Sequence, residues 1–220
     1  MKVAILCGGR GMRLNGGVTP KALAEVNDKP MVEHVMDVYG NHDFLLLLGH
    51  QGDQVRLRFM LHPRDRVTLA DTGKETQTGG RIRQASMLRM GGYFAVAYCD
   101  CLADVNIWDV VKFHQGHGRV ATLVAVHPTT SYGVLGLDDS CTVTSFREKP
   151  KSNEWVNAGF FLFNQRIFSY LDDGPLEDTL EKLATEGQLK AYLHEGFFRC
   201  VDTQKDLEEL NATEGTPWLR

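Results

Sequence analysis

The chain has 220 residues, 43% of them hydrophobic and 24% charged, with a formal net charge of −4. That length can bury a core without disulfide or metal staples. The mild acidity argues against binding driven by bulk charge to nucleic acid or to a membrane surface, so any phosphate chemistry must rest on local positive charge. No apolar stretch approaches a membrane span, Lys2 is the only basic residue at the start, and the run Val3–Leu6 is short, so no secretory leader is expected. Five cysteines without framework spacing point to free thiols in a reducing cytoplasm.

In chain order, strands are expected at Lys2–Leu6, Phe44–Leu48, Val67–Ala70 and Tyr93–Tyr98. Helices are expected at Pro30–Tyr39, Asp53–Met60, Gly80–Met90 and Ile107–His117. Val32, Val35, Met36 and Tyr39 fall on one helical face, with Pro30 suited to the first turn and Gly40 to the stop. Such strand–helix alternation predicts an α/β fold, a mostly parallel sheet with helices on both faces. After Gly118 the texture changes to strands at Val120–Val126, Gly133–Leu137, Thr142–Arg147 and Val156–Phe163. These are expected to extend the same sheet with antiparallel character rather than build a second domain. Helices return at Leu176–Glu186 and Lys205–Asn211, with short strands at Ala191–His194 and Phe197–Val201.

The stretch after the first strand, CGGRGMRLNGGVTPKAL (Cys7–Leu23), is glycine-rich and basic. A Walker A loop needs Gly-Lys-Ser/Thr, which is absent. A dinucleotide fingerprint needs a third small residue, and Leu14 stands there. What remains is a polyphosphate cradle or a plain surface loop. In the first case Gly8, Gly9 and Gly11 admit close backbone approach, while Arg13 and Lys21 supply charge. Cys99-Asp100-Cys101 lacks a second Cys/His pair at structural-zinc spacing. His114 and His117 read as a solvated helix end, and Phe160-Phe161 as core.

Gly8-Gly9-x-Gly11-x-Arg13-Leu14 with Pro20-Lys21 resembles the signature of the sugar-phosphate nucleotidyltransferases. Tyr98-x-Asp100 with Asp104, Glu148-Lys149-Pro150, Asn157-Ala158-Gly159 and Asp202 follow in that family's order. Val67–Arg83, SFREKP, NAGFFLFN and the GFFRCVDT ending are similar to the glucose-1-phosphate cytidylyltransferases, over nearly the whole chain. The resemblance implies a Rossmann-like three-layer α/β/α fold in one domain. Residues 1–118 would form a nucleotide-binding half and 119–220 an acceptor-binding half. It implies transfer of a nucleotidyl group, CMP from CTP, to a sugar 1-phosphate with release of pyrophosphate. It leaves open another base, another phosphorylated or phosphonate acceptor, or a sensor that kept the fold without the chemistry. A sensor would be expected to lose Arg13, Lys21 or a metal Asp, and all are present.

The same resemblance implies roles. Mg²⁺ would be held by Asp100 and Asp202, with Arg13 on the triphosphate and Lys21 bridging phosphates. The nucleotide would touch Leu6, Gly8, Gly9, Arg10, Gly11, Met12, Arg13, Thr76, Gly80, Arg81 and Cys99. The base would lie along Gly79 and Gly80; a helix N-terminus capped by Thr78 is the plain alternative there, and the two are compatible. Glu148, Lys149, Asn157 and Gly159 would hold the sugar phosphate. A homo-oligomer is compatible with the family; nucleic acid and membrane are not implied. Three departures stand out: Met12 for the usual Thr or Ser, Cys99 and Cys101 for glycines flanking the metal Asp, and a short segment between Phe59 and Val67 where the cytidylyl group carries an insertion.

Overall fold

The strand β1 (Lys2–Cys7) alternates its side chains between two cores, as a strand buried on both faces must. Val3, Ile5 and Cys7 enter one core, Ala4 and Leu6 the other. In this computed structural model, which describes residues 1–12, 14–88, 90–130 and 132–219, the remaining elements follow from it. They are β2 (Glu25–Val26), β3 (Lys29–Pro30), α1 (Met31–Tyr39), β4 (Asp43–Leu48), α2 (Gly52–Leu61), β5 (Val67–Asp71), α3 (Thr78–Ala85), β6 (Tyr93–Tyr98), β7 (Cys101–Ala103) and α4 (Ile107–His117). Then come β8 (Ala121–Val126), β9 (Val134–Leu137), β10 (Val143–Arg147), β11 (Val156–Asn164), α5 (Leu176–Thr185), β12 (Leu189–His194), β13 (Phe198–Cys200) and α6 (Gln204–Asn211).

Among the described residues seven strands form the main sheet, in the order β12-β8-β11-β6-β1-β4-β5. β11 runs antiparallel to both its neighbours; the other pairings are parallel. α1, α2, α4 and α6 contribute apolar side chains to one face, α3 and α5 to the other, giving the expected three layers. Strand order reverses between β1 and β6, and a crevice opens there at the carboxyl ends of parallel strands. Among the described residues no helix is long and apolar enough to cross a membrane.

Two expectations need correction. β9 and β10 do not extend the main sheet; they pair with each other as a separate ribbon, with β10 exposed along its length. The two strands are joined by the short turn at residues 138–142 and satisfy each other's backbone, and Leu135, Leu137, Val143 and Phe146 stay exposed rather than packing on the main sheet. His114 is not solvated: it is buried, and its Nδ1 lies 2.9 Å from Thr122 Oγ1, which is also 2.7 Å from His117 Nε2. That shared hydroxyl fastens α4 to β8.

Candidate active site

Beyond β1 the chain turns through Gly8 and Gly9 and lines a cavity of about 630 Å³. Its walls include Leu6, Gly8, Gly9, Arg10, Gly11, Met12, Lys21, Thr76, Arg81, Cys99 and Asp100. Gly9 is exposed with open space where a Cβ would stand, Gly11 takes a positive φ of 58°, and Met12 is exposed. Arg13 lies outside the described residues. Arg10 donates through Nη2 to both carboxylate oxygens of Glu75, at 2.8 and 2.7 Å, and so spans two walls of the opening. Tyr98 and Thr78 also line it, as does Glu177, which no motif contained. The Tyr98 hydroxyl donates to Glu177 Oε1 at 2.6 Å. A tyrosine at a strand end opposite an acidic helix N-terminus carries no short-range sequence signal.

Lys21 is the electrostatic centre. Its Nζ lies 2.9 Å from Asp100 Oδ2 and 2.5 Å from Asp202 Oδ1, so carboxylates 102 positions apart converge on one cation. Burial pulls the Lys21 pKa down, but the two carboxylates outweigh it and hold the ammonium above its ordinary value. Asp202 N–H donates to Asp206 Oδ2 (3.1 Å), part of a capping box at the start of α6. Two carboxylates gathered around a positive charge suit a divalent cation with oxygen ligands. Asp104 does not join them: its Oδ1 is 2.8 Å from His194 Nε2 and accepts from Phe197 N–H at 2.7 Å.

Arg81, expected as a base contact, lines the cavity with its guanidinium engaged by the protein's own oxygens. It is 4% exposed, and its Nη1 faces the Leu48 carbonyl (2.8 Å), Thr72 Oγ1 (2.5 Å) and the Gly73 carbonyl (2.9 Å). Nη2 donates to the Gly8 carbonyl at 3.1 Å. A Cβ at Gly8 or Gly49 would collide with the guanidinium, so these glycines make room for Arg81. The buried fork ties the ends of β1, β4 and β5 together beneath the loop. Gly79 and Gly80 face the backbone of Asp173–Pro175 rather than the cavity, which lets α3 pack on the entry to α5. Thr78 does not cap its own helix: its hydroxyl accepts from Leu176 N–H at 2.7 Å, capping α5. The Thr76 hydroxyl donates to the Thr72 carbonyl and still lines the wall.

The acceptor-side residues do not reach the cavity. Lys149, in a left-handed conformation, pairs with Glu209 at 3.3 Å, and Glu148 is exposed. Asn157 Oδ1 accepts from Gly159 N–H (2.9 Å). Gly159 has φ 78° and lies against Tyr98, where any Cβ would strike the ring. The five cysteines are free. Cys99 is buried, and its contact with the Cys7 thiol, burial and nearby Asp100 push its pKa up.

The glycine loop, Lys21 and Asp100 thus line one switch-point cavity, with Asp202 joined to it through Lys21. The match to the nucleotidyl transferase family model runs over residues 2–212. The chain belongs to the nucleotidyl transferase family. It is 33% identical over 242 aligned positions to the probable glucose-1-phosphate cytidylyltransferase of Bacillus subtilis, covering 96% of this chain and 95% of that one. It is 33% identical over 254 positions to the glucose-1-phosphate cytidylyltransferase of Salmonella typhi, covering 99% and 98%. In fold it is similar to HddC from Yersinia pseudotuberculosis, with a TM-score of 0.76 at 22% identity, covering 96% and 97%. Nucleotidyl transferases bind a nucleoside triphosphate and a sugar phosphate and generally use a divalent metal. A 254-position alignment against 220 residues means that the Salmonella relative carries at least 34 residues without counterpart here. Here only residues 62–66 separate α2 from β5.

Proposed function

We propose that this chain transfers CMP from CTP to a sugar 1-phosphate and releases pyrophosphate. The observation that carries the reading is Lys21 Nζ, held between Asp100 and Asp202 at the end of the glycine-loop cavity. The attacking group is a phosphate monoester. Its second pKa lies near ~6, so at neutral pH it is already deprotonated and no general base is required. What opposes reaction is the approach of an anion to a triphosphate, so the protein must align and neutralise. Asp100 and Asp202 would hold Mg²⁺, which when bound offsets phosphate charge. Lys21 donates to phosphate oxygens from the same point, and backbone N–H groups of Gly9 and Gly11 face the polyphosphate. Arg81 acts beneath them by fixing the Gly8 carbonyl, and Arg13 is assigned to the triphosphate.

We assign residues 1–118 to the nucleotide and 119–220 to the acceptor, with Glu148, Lys149, Asn157 and Gly159 as the acceptor side. Lys149 must then leave Glu209 for the sugar phosphate. The preference for CTP is supported by the two cytidylyltransferase relatives at 33% identity. Dissolved substrates of this kind place the enzyme in the cytoplasm. The short connection between α2 and β5 favours a second reading of the acceptor, as a different sugar 1-phosphate or a phosphonate.

Pyrophosphate release, measured for four nucleoside triphosphates against a panel of sugar 1-phosphates and phosphonates with Mg²⁺, tests both. CTP should be the preferred donor with one acceptor class. Equal kcat/KM for CTP and UTP with the best acceptor would remove the cytidylyl assignment, and no release with any pair would remove the activity.

A further inference from the structure

Beside the carboxylate pair, β7 and β13 bring a second set of donors to Asp100. Cys101 and Cys200 are directly opposite in this antiparallel pairing. The Val201 N–H to Asp100 carbonyl bond (2.8 Å) lies one residue outside them on each strand. They are thus a non-hydrogen-bonded pair, the kind whose side chains approach most closely. Their sulfurs are 2.6 Å apart. Asp100 Oδ1 is 3.5 Å from Cys101 Sγ and 3.9 Å from Cys200 Sγ, and the three donors lie within 4.8 Å of one another.

We propose that Asp100, Cys101 and Cys200 form a binding site for one thiophilic divalent cation of the zinc class. Tetrahedral zinc, with bonds of about 2.3 Å to sulfur and about 2.1 Å to oxygen, sets sulfur and oxygen ligands about 3.6 Å apart and two sulfurs about 3.8 Å apart. The two sulfur–oxygen separations bracket the first value. The sulfurs must open by about 1 Å, within reach of a side-chain rotation at partly exposed Cys200. Two sulfurs and one carboxylate exclude Mg²⁺ as the natural occupant and favour a softer ion. Both thiols lose their protons on binding, and a fourth position stays open. The site itself does not depend on the proposed activity. Its consequence rests on that reading: Asp100 belongs to both ligand sets, so zinc bound here withdraws a carboxylate from the hard cation and opposes turnover.

The test uses the full chain, reduced and stripped of metal, with Co²⁺ and Zn²⁺ as probes. A single Co²⁺ should bind with a thiolate-to-cobalt charge-transfer band, and Zn²⁺ should displace it. C101S and C200S, checked by circular dichroism, should each show a weaker band, the double variant none, and each should bind Zn²⁺ at least about tenfold more weakly. D100N should weaken binding and keep the band. Cobalt bound without the sulfur band, or zinc affinity unchanged in both serine variants, overturns the site. If a serine variant does not fold, the wild-type band decides alone. Zn²⁺ should also inhibit Mg²⁺-supported pyrophosphate release, with an inhibition constant at least about tenfold higher in C200S. A chain with the band but no transfer activity refutes the proposed function and leaves the site standing; activity without the band does the reverse.

Discussion

Lys21, 16% exposed between two carboxylates, occupies the point a divalent cation would have to share. In K21M the carboxylates keep their convergence and lose the competing ammonium. Mg²⁺ should therefore raise the melting temperature of K21M more than that of the wild type. Turnover should fall by about 10²–10³-fold, the scale of losing one preorganised charge at the reacting phosphate. Equal Mg²⁺ shifts in differential scanning fluorimetry would contradict the competition. Arg81 makes a different demand. A lysine cannot reproduce the planar fork, and R81K takes donors from the Gly73, Leu48 and Gly8 carbonyls, of which Leu48 keeps Thr72 and Gly8 keeps the His50 N–H. A stability loss of about 2–4 kcal/mol by urea unfolding is expected. At this scale the motif residues around Lys21 and Asp100 were legible because their types and order carry the chemistry. The duty of Arg81 was not, since Gly8 and Gly49, which make its slot, lie 73 and 32 positions away.

Among the elements, α6 links stability to the site. Asp206 closes the capping box with Thr203 and also accepts from Asp202 N–H. D206A should lower stability by about 1 kcal/mol. It should also raise the Mg²⁺ concentration for half-maximal turnover with kcat largely retained, measurable by titrating the metal in the pyrophosphate assay. On α4, burial and neighbouring His117 push the His114 pKa down to about 4 from its ordinary 6.5. The folded chain therefore holds this proton less well than the unfolded one. The contribution is complete above pH 6.5 and is lost as pH falls from 6.5 to 4, by at most about 3 kcal/mol. In H114Q the urea midpoint should drop less between pH 7 and pH 5 than in the wild type. Helical periodicity located α1 and α4 well, because the apolar stripe that makes them amphipathic is local. β2, β3 and β7 escaped it, being too short to alternate. Thr78 misled as a cap because its hydroxyl serves α5, 98 positions on.

Across the whole molecule, β9 and β10 stand apart from the main sheet, and β10 is exposed along its length. Their amides should exchange with deuterium much faster than those of β1, β6 and β11, whose two faces are covered. Comparable protection in native-state exchange would mean that the ribbon is covered in solution. What the sequence by itself determined is the alternation of buried strands with amphipathic helices, hence the layered α/β class, and the order of motifs that marks the family. Those signals are carried by neighbours in the chain. What only the tertiary structure decided is every feature made by closing long loops. Asp202 meets Asp100 at Lys21, Cys200 meets Cys101 across two short strands, and Arg81 sits under the loop it supports. Such encounters depend on strand order and register, which no local spacing encodes.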